Sequence, residues 1–91
     1  MFKTRDECME AFVRDSKMRH YDAVGIFFRP SADTYRYSPH QRSESGEELY
    51  AVLEKQDHNS NAWLFREKSR AAREYLETDP LPGTMISGYQ A

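Results

Sequence analysis

The run YDAVGIFFRPSADTYRY, residues 21–37, carries the clearest secondary-structure signal in the chain. Its first half is rich in β-branched and aromatic residues, which predicts a strand over residues 21–29. Pro30 has no amide hydrogen to donate to a sheet, and residues 30–33 are of the types that form turns. Residues 34–37 alternate tyrosine with other side chains, so the whole run predicts a β-hairpin.

The hairpin is expected to present two faces of different character. Because side chains alternate along a strand, Val24, Ile26 and Phe28 share one face, while Phe27 and Arg29 lie on the other. The apolar face of such a hairpin needs a cover, and helices elsewhere in the chain can supply it.

A first helix is predicted before the hairpin. Thr4 followed by Glu7 matches a capping box, in which both side chains bond backbone groups at a helix start. Met9, Phe12 and Val13 then recur at helical spacing, which predicts an apolar stripe that packs on the sheet.

The segment after the hairpin fits two structures. Ser45 and Glu48 form a second capping box, Glu47 and Glu48 suit the first turn of a helix, and helix formers dominate residues 46–56, so a helix is favoured there. The alternative is a third strand that completes a three-stranded meander, suggested by the alternation of Leu49, Ala51 and Leu53.

The last helix is predicted from Ala62 to about Glu77 and ends before Pro80. Its apolar side is expected to contain Leu64, Phe65, Lys68, Ala71, Ala72, Tyr75 and Leu76. The opposite side predicts a solvent-facing basic ridge of Arg66, Arg70 and Arg73.

These elements predict an α+β fold with a small antiparallel hairpin or three-stranded sheet packed against two or three helices. A length of 91 residues suits one core. Residues 1–79 are expected to form that single domain. Residues 80–91 are expected to form a C-terminal tail that docks as a short strand or stays mobile.

The composition indicates the cellular compartment in which the protein is expected. The chain is 38% hydrophobic, 31% charged and 13% aromatic, with a formal net charge of −2 and a single cysteine. One cysteine excludes an internal disulfide, and no apolar run is long enough to span a bilayer. We therefore expect a cytoplasmic protein, in the host cytoplasm if a phage encodes it, with no membrane partner.

Catalytic and metal-binding patterns are missing from the sequence. His20, His40 and His58 lack the short spacings that place two metal ligands on one turn, and Cys8 fits a buried position in the first helix. No phosphate loop or nucleophile elbow occurs. We expect no enzymatic activity and no cofactor.

Two basic and aromatic regions are the candidate binding surfaces. Basic residues outnumber acidic ones between Arg14 and Arg42 and include Lys17 and Arg19, and tyrosines are interleaved with them, as in surfaces that grip phosphates and stack bases. The basic ridge, with Trp63 near its start, has the residue types that anchor interfaces. The predicted partner-binding residues are Arg29, Tyr35, Arg36, Tyr37, Arg42, Trp63, Arg66, Arg70 and Arg73.

In size, polar composition, aromatic content and lack of motifs, the chain resembles the small inhibitors that phages and mobile elements encode against host defences, anti-CRISPR proteins among them. The resemblance implies a non-enzymatic protein-binding module that blocks a nucleic-acid-handling host complex. Its partner would be a larger protein or a ribonucleoprotein complex.

Two other functions stay open. A direct RNA- or DNA-binding domain is one, because with residues 48–56 as a strand the order αβββα resembles double-stranded RNA-binding domains, although residues 59–63 lack that family's basic cluster. A self-associating structural subunit is the other, with Trp63, Tyr50 and the tail buried against a second copy.

Overall fold

The computed structural model describes residues 1–40, 42–55, 57, 63–76 and 86–87. Its elements confirm the predicted α+β class. In chain order they are helix α1 (Arg5–Arg14), a 3₁₀ helix (Ser16–His20), strands β1 (Ala23–Arg29), β2 (Thr34–Ser38), β3 (Glu48–Lys55) and β4 (Trp63–Lys68), helix α2 (Arg70–Leu76) and strand β5 (Ile86–Ser87).

The strands form one sheet in the order β2-β1-β3-β4-β5. The predicted hairpin is confirmed, with β1 and β2 antiparallel and Ile26 opposite Tyr37. β1 also pairs antiparallel with β3, and β3 with β4, whereas β5 runs parallel to β4. Because β1 lies between β2 and β3, the first three strands do not follow the order of a meander.

Helix α1 begins where the capping pattern predicts. The Thr4 hydroxyl oxygen accepts a hydrogen bond from the Glu7 backbone N–H at 3.1 Å, which satisfies one of the donors left free at a helix start. After α1 the chain forms the 3₁₀ helix. At its start, Asp15 Oδ1 accepts a hydrogen bond from the Lys17 backbone N–H at 3.0 Å. This corner turns the chain into β1.

The helix favoured over residues 46–56 is wrong, and the strand alternative is confirmed by β3. This strand lies inside the sheet, between β1 and β4. Burial on both faces removes the alternation of apolar and polar residues that marks a strand in a sequence, so helix formers dominated the prediction. The consecutive buried residues are Tyr50, Ala51, Val52 and Leu53.

The long helix predicted over residues 62–77 is also wrong, because its first part is β4 and only its second part is α2. Trp63 and Phe65 alternate with exposed or half-buried neighbours and are themselves buried. The Ser69 hydroxyl accepts from the Ala72 N–H at 3.2 Å. Ser69 therefore caps α2, and it marks a helix start inside a segment that looked continuously helical.

The main core lies between α1 and one face of the sheet. The centroid of the Phe12 ring lies 4.8 Å from that of Trp63 and 5.8 Å from that of Tyr37. Phe28 packs at the margin of the core, so the predicted shared face of β1 is confirmed. The other buried members are Cys8, Met9, Met18, Val24, Ile26, Tyr50, Ala51, Leu53, Phe65 and Ala72.

The connection between β2 and β3 crosses β1 on the opposite face of the sheet. Phe27 is buried on that face, outside the main core cluster. The Arg36 guanidinium lies 4.7 Å from the centroid of the Phe27 ring, and the same guanidinium bonds Glu47 at the end of the connection. The crossing loop and Arg36 thus cover the second face near β1.

The order αβββα is not found, because a fourth antiparallel strand, β4, stands where the second helix would begin. The likeness to double-stranded RNA-binding domains therefore loses its structural basis. In the predicted tail, Ile86–Ser87 dock as a short strand. The turn at residues 58–61 and the boundary between residues 79 and 80 lie outside the described residues.

Candidate binding surface

Arg29 and Arg36, both predicted to bind a partner, hold the loop between β2 and β3. Arg36 Nε donates to Glu47 Oε2 at 2.9 Å, and its Nη2 donates to Oε1 at 2.6 Å, which makes a bidentate pair. Arg29 Nη1 donates to the Ser45 carbonyl at 2.9 Å. Arg29 Nη2 also lies 3.7 Å from a carboxylate oxygen of Glu44. Both arginines thus brace the second half of the loop.

Glu47 is the centre of this brace. Its side chain is only 1% exposed, and it also accepts from the Glu44 backbone N–H at 2.8 Å. The hydrogen bonds from Arg36 lower the pKa of Glu47 from 4.5 to about 2, and the same bonds raise the pKa of Arg36. Glu47 was predicted at a helix start and this role was missed, because its partner Arg36 lies on β2, 11 positions earlier in the chain.

Tyr35 and Tyr37, predicted as contact residues, are half-buried and join β2 to its neighbours. The Tyr37 hydroxyl donates to Asp15 Oδ2 at 2.6 Å. Burial and this hydrogen bond raise the pKa of Tyr37 to about 12. Tyr35 packs edge-on against Tyr50 at 5.6 Å between ring centroids, and its backbone pairs with Phe2. Both rings mainly hold the fold together.

Trp63, predicted at an exposed helix start, is a core residue with 3% exposure. Lys55 Nζ lies 5.5 Å from the centroid of its ring and donates a hydrogen bond to the Arg19 carbonyl. Tyr50 is buried as well, at 4% exposure. The two residues named for self-association therefore face the interior of a single chain.

Arg66, Arg70 and Arg73 do not form one helical ridge, because Arg66 lies on β4 and the other two on α2. Arg66 Nε lies 3.4 Å from a carboxylate oxygen of Glu54. Arg70 Nε lies 3.5 Å from Glu74 Oε1, one helical turn away. All three arginines are exposed, and exposed pairs of this kind contribute little to stability.

Arg42 is the predicted contact residue that combines exposure with a surrounding depression. The depression, which we call the loop cleft, has a volume of about 740 Å³. The Ser38 hydroxyl oxygen accepts a hydrogen bond from the His40 backbone N–H at 3.1 Å. This bond closes a tight turn at the start of the segment that lines the cleft. The loop cleft is lined by Arg36, Ser38, Pro39, His40, Arg42, Ser43 and Glu44.

The charges around the loop cleft do not cancel. Arg36 is paired with Glu47 and Arg29 with Glu44. Within the described part of the chain, Arg42 lies in no ion pair, and its side chain is exposed. The cleft therefore carries one positive charge in excess, which makes it attractive to an anionic group.

A second basic surface, the 3₁₀ corner, consists of exposed Lys17, Arg19, His20 and Tyr21. Asp15 lies among them, but hydrogen bonds from Tyr37 and from the Lys17 backbone engage its carboxylate and lower its pKa. Lys17 and Arg19 were among the basic residues of the predicted surface but not among the predicted partner-binding residues. The sequence pattern did not indicate the 3₁₀ helix, on which both side chains are exposed.

The described residues contain neither a group of metal ligands nor an exposed thiol. Across the described ranges, no three His, Cys, Asp or Glu side chains are grouped so that they could hold a metal ion. Cys8 is fully buried, and burial raises the pKa of its thiol from 9.0 to about 12. Neither described helix has the length and apolar character that crossing a bilayer requires.

The chain is thus a small α+β domain whose mainly antiparallel sheet has α1 on one face and a braced loop on the other. Comparison with protein-family models, with curated proteins and with solved structures found no match to this chain. Its function has to be inferred from its own surfaces.

Proposed function

We propose that the protein is a non-enzymatic binding module that docks on a larger protein or ribonucleoprotein complex through the loop cleft. The strongest support is a difference among the charged residues of the loop between β2 and β3. Glu44 and Glu47 are held by Arg29 and Arg36, whereas Arg42 is exposed at the cleft. Residues 44–47 are held in place before binding and so lose little conformational entropy on association, and arginine is among the residues that most often anchor interfaces.

A more specific form of the proposal is an inhibitor of the phage or mobile-element type, similar to anti-CRISPR proteins. Such an inhibitor would occupy a surface of a nucleic-acid-handling complex in the host cytoplasm. Support comes from the small size, the mixed charge with a net of −2, and the excess positive charge at the loop cleft. Complementary charge would steer the protein onto an acidic surface of its target.

Affinity capture with matched charge reversals tests the proposal. Wild type, Arg42→Glu and Arg73→Glu are immobilised and exposed to bacterial lysates. We expect a partner to be retained by wild type and by Arg73→Glu and lost from Arg42→Glu, since Arg73 is also exposed but lies on α2. Loss with Arg73→Glu alone would move the interface to α2. Recovery of only the bait from several hosts would contradict the binding function.

Direct nucleic-acid binding is a second candidate, favoured by the 3₁₀ corner. Lys17 and Arg19 are exposed there beside Tyr21, which is 43% exposed. Cations of this kind contact phosphates, and an exposed aromatic ring is available for base stacking. A mobility shift with mixed RNA and DNA should weaken steeply as salt is raised. No shift at low salt would reject this candidate.

A further inference from the structure

We propose that the loop cleft is a binding site for a phosphate group. This inference deepens the proposed function, on which it rests, because it names the chemistry of the group that the same surface receives. The lining of the cleft is rich in hydrogen-bond donors. Arg42 contributes an exposed guanidinium, the side chain whose planar fork matches phosphate oxygens best.

A second guanidinium lines the cleft. Arg36 uses Nε and Nη2 for its pair with Glu47, which leaves the Nη1 donors outside that pair. Its side chain is 23% exposed, and its position is fixed by Glu47 on one side and by the Phe27 ring below. An arginine held in this way pays little entropy when it donates to a ligand.

Hydroxyl and imidazole groups complete the set of donors. Ser38 Oγ accepts from the His40 N–H, so its own O–H is available to donate. Ser43 and the His40 side chain also line the cleft and are exposed. Two guanidiniums, two hydroxyls and an imidazole offer more donors than the two oxygens of a carboxylate can accept. A phosphate group, with a third terminal oxygen, uses such a set more fully.

One lining residue, Glu44, has a negative charge that repels an anion. Glu44 is exposed at the cleft, but its carboxylate lies 3.7 Å from Arg29 Nη2 and its backbone N–H is bonded to Glu47. The nearby arginine offsets its charge. The unpaired charge of Arg42 therefore dominates the field in the cleft.

Titration of ¹⁵N-labelled protein with inorganic phosphate, at constant ionic strength, tests the site. We expect saturable shifts of the amide signals of His40, Arg42 and Ser43. Arg42→Gln should weaken binding about tenfold, because it removes a charged hydrogen-bond donor. Arg73→Gln removes the same charge from α2 and should bind as wild type does. Equal shifts at all exposed cations, or unchanged binding in Arg42→Gln, would overturn the proposal.

Further probes separate the possible sources of the group. Acetate should bind more weakly than phosphate, and equal affinity would overturn the assignment to phosphate. Adenosine 5′-monophosphate that binds as phosphate does would show that the free group suffices, whereas tighter binding would indicate a phosphate ester. Adenosine alone should not bind, and shifts with adenosine equal to those with its monophosphate would contradict a phosphate site.

Failure of this inference is distinguishable from failure of the proposed function. The titration uses the isolated protein, whereas the capture experiment requires a partner. A partner lost from Arg42→Glu without any phosphate binding would refute only the ligand chemistry. Phosphate binding without an Arg42-dependent partner would refute only the proposed function.

Discussion

Cys8 and Glu47 are both buried ionisable side chains, yet their pKa values move in opposite directions. Burial raises the pKa of Cys8 to about 12 and outweighs the opposing effect of the N-terminal ammonium, because water no longer stabilises the thiolate. The bidentate bond from Arg36 outweighs burial at Glu47 and lowers its pKa to about 2. Cys8 is therefore a neutral core residue, and Glu47 is a charged structural one.

The Cys8 thiol should be nearly unreactive in the folded protein. It is 0% exposed, and only the thiolate attacks a disulfide reagent. With Ellman's reagent near neutral pH we expect a rate at least about 100-fold lower in buffer than in denaturant, since reaction has to wait for opening of the core. Similar rates in both conditions would contradict the buried position of α1 against the sheet.

Substitution of Glu47 should destabilise the fold. Glu47→Gln removes the charge that Arg36 bonds at 2.6 and 2.9 Å, with an expected loss of about 1–3 kcal/mol in the free energy of unfolding. Urea denaturation measures it. Glu44→Gln is the control, because its side chain is 68% exposed and should cost less than about 1 kcal/mol. Equal losses for both variants would contradict the central role of Glu47.

Acid should remove the contribution of Glu47. Its pKa is lowered on folding from 4.5 to about 2, so the stabilisation is complete above the unfolded value and is lost as the pH falls through the folded one. We expect the difference in unfolding free energy between wild type and Glu47→Gln to shrink between about pH 5 and about pH 2.5. A difference that stays constant over this range would show that the carboxylate charge is not responsible.

At the scale of elements, the braced loop depends on one unusual backbone conformation. Gly46 has a φ of +82°, which side-chain-bearing residues rarely adopt. A Cβ atom there would lie 3.1 Å from Arg29 Nη1, the group that bonds the Ser45 carbonyl. Gly46 thus permits the turn and also leaves room for the arginine that holds it.

Gly46→Ala should destabilise the protein by about 1–2 kcal/mol, through backbone strain and displacement of Arg29. Thermal unfolding measures the effect. Ser45→Ala is the matched control, because Ser45 contributes its backbone carbonyl to the bond with Arg29 and should change stability by less than about 0.5 kcal/mol. An unchanged midpoint for Gly46→Ala would mean that the loop relaxes without cost.

The elements predicted correctly are those whose signals are local. Thr4 and Glu7 lie within one helical turn, and the residues of the hairpin lie on both sides of a single turn. β3 was only the alternative to a helix and β4 was missed, because nine and seven residues separate them from the strands before them and because β3 is buried on both faces. Helix propensity, which is a weak preference, then dominated the prediction until tertiary pairing overrode it.

At the scale of the whole molecule, Trp63 joins β4 to α1 across the main core. Its ring contacts Phe12 at 4.8 Å between centroids. An exposed residue of the same strand, Arg66, forms an exposed ion pair with Glu54. One strand thus holds a side chain essential for packing and another that is open to solvent.

Trp63→Ala should cost about 3–5 kcal/mol in unfolding free energy, the usual effect of removing a large buried ring. Arg66→Ala should cost less than about 1 kcal/mol, since its pair with Glu54 is exposed. Chemical denaturation followed by circular dichroism compares the two variants. Stability of Trp63→Ala close to wild type would support the earlier expectation that Trp63 belongs to an interface.

The candidate site was predictable only in part. Arg42 was predicted as a contact residue because it ends the basic and aromatic stretch that begins at Arg14, and it is exposed. Arg29 and Arg36 belong to the same basic and aromatic stretch, but the structure pairs them with Glu44 and Glu47. Composition does not distinguish an arginine that binds its own chain from one that is open to a partner, because the difference depends on which carboxylate the fold brings within reach.

Local interactions were sufficient to specify the start of α1, the β1–β2 hairpin, the buried character of Cys8 and the α+β class. Contacts between distant residues decided that residues 48–55 and 63–68 are strands, that Trp63 is buried and that Arg36 is bound by Glu47. The physical reason is that caps and turns are satisfied by residues a few positions apart. Pairing between strands or charges that lie far apart in the chain is satisfied only when the chain has folded.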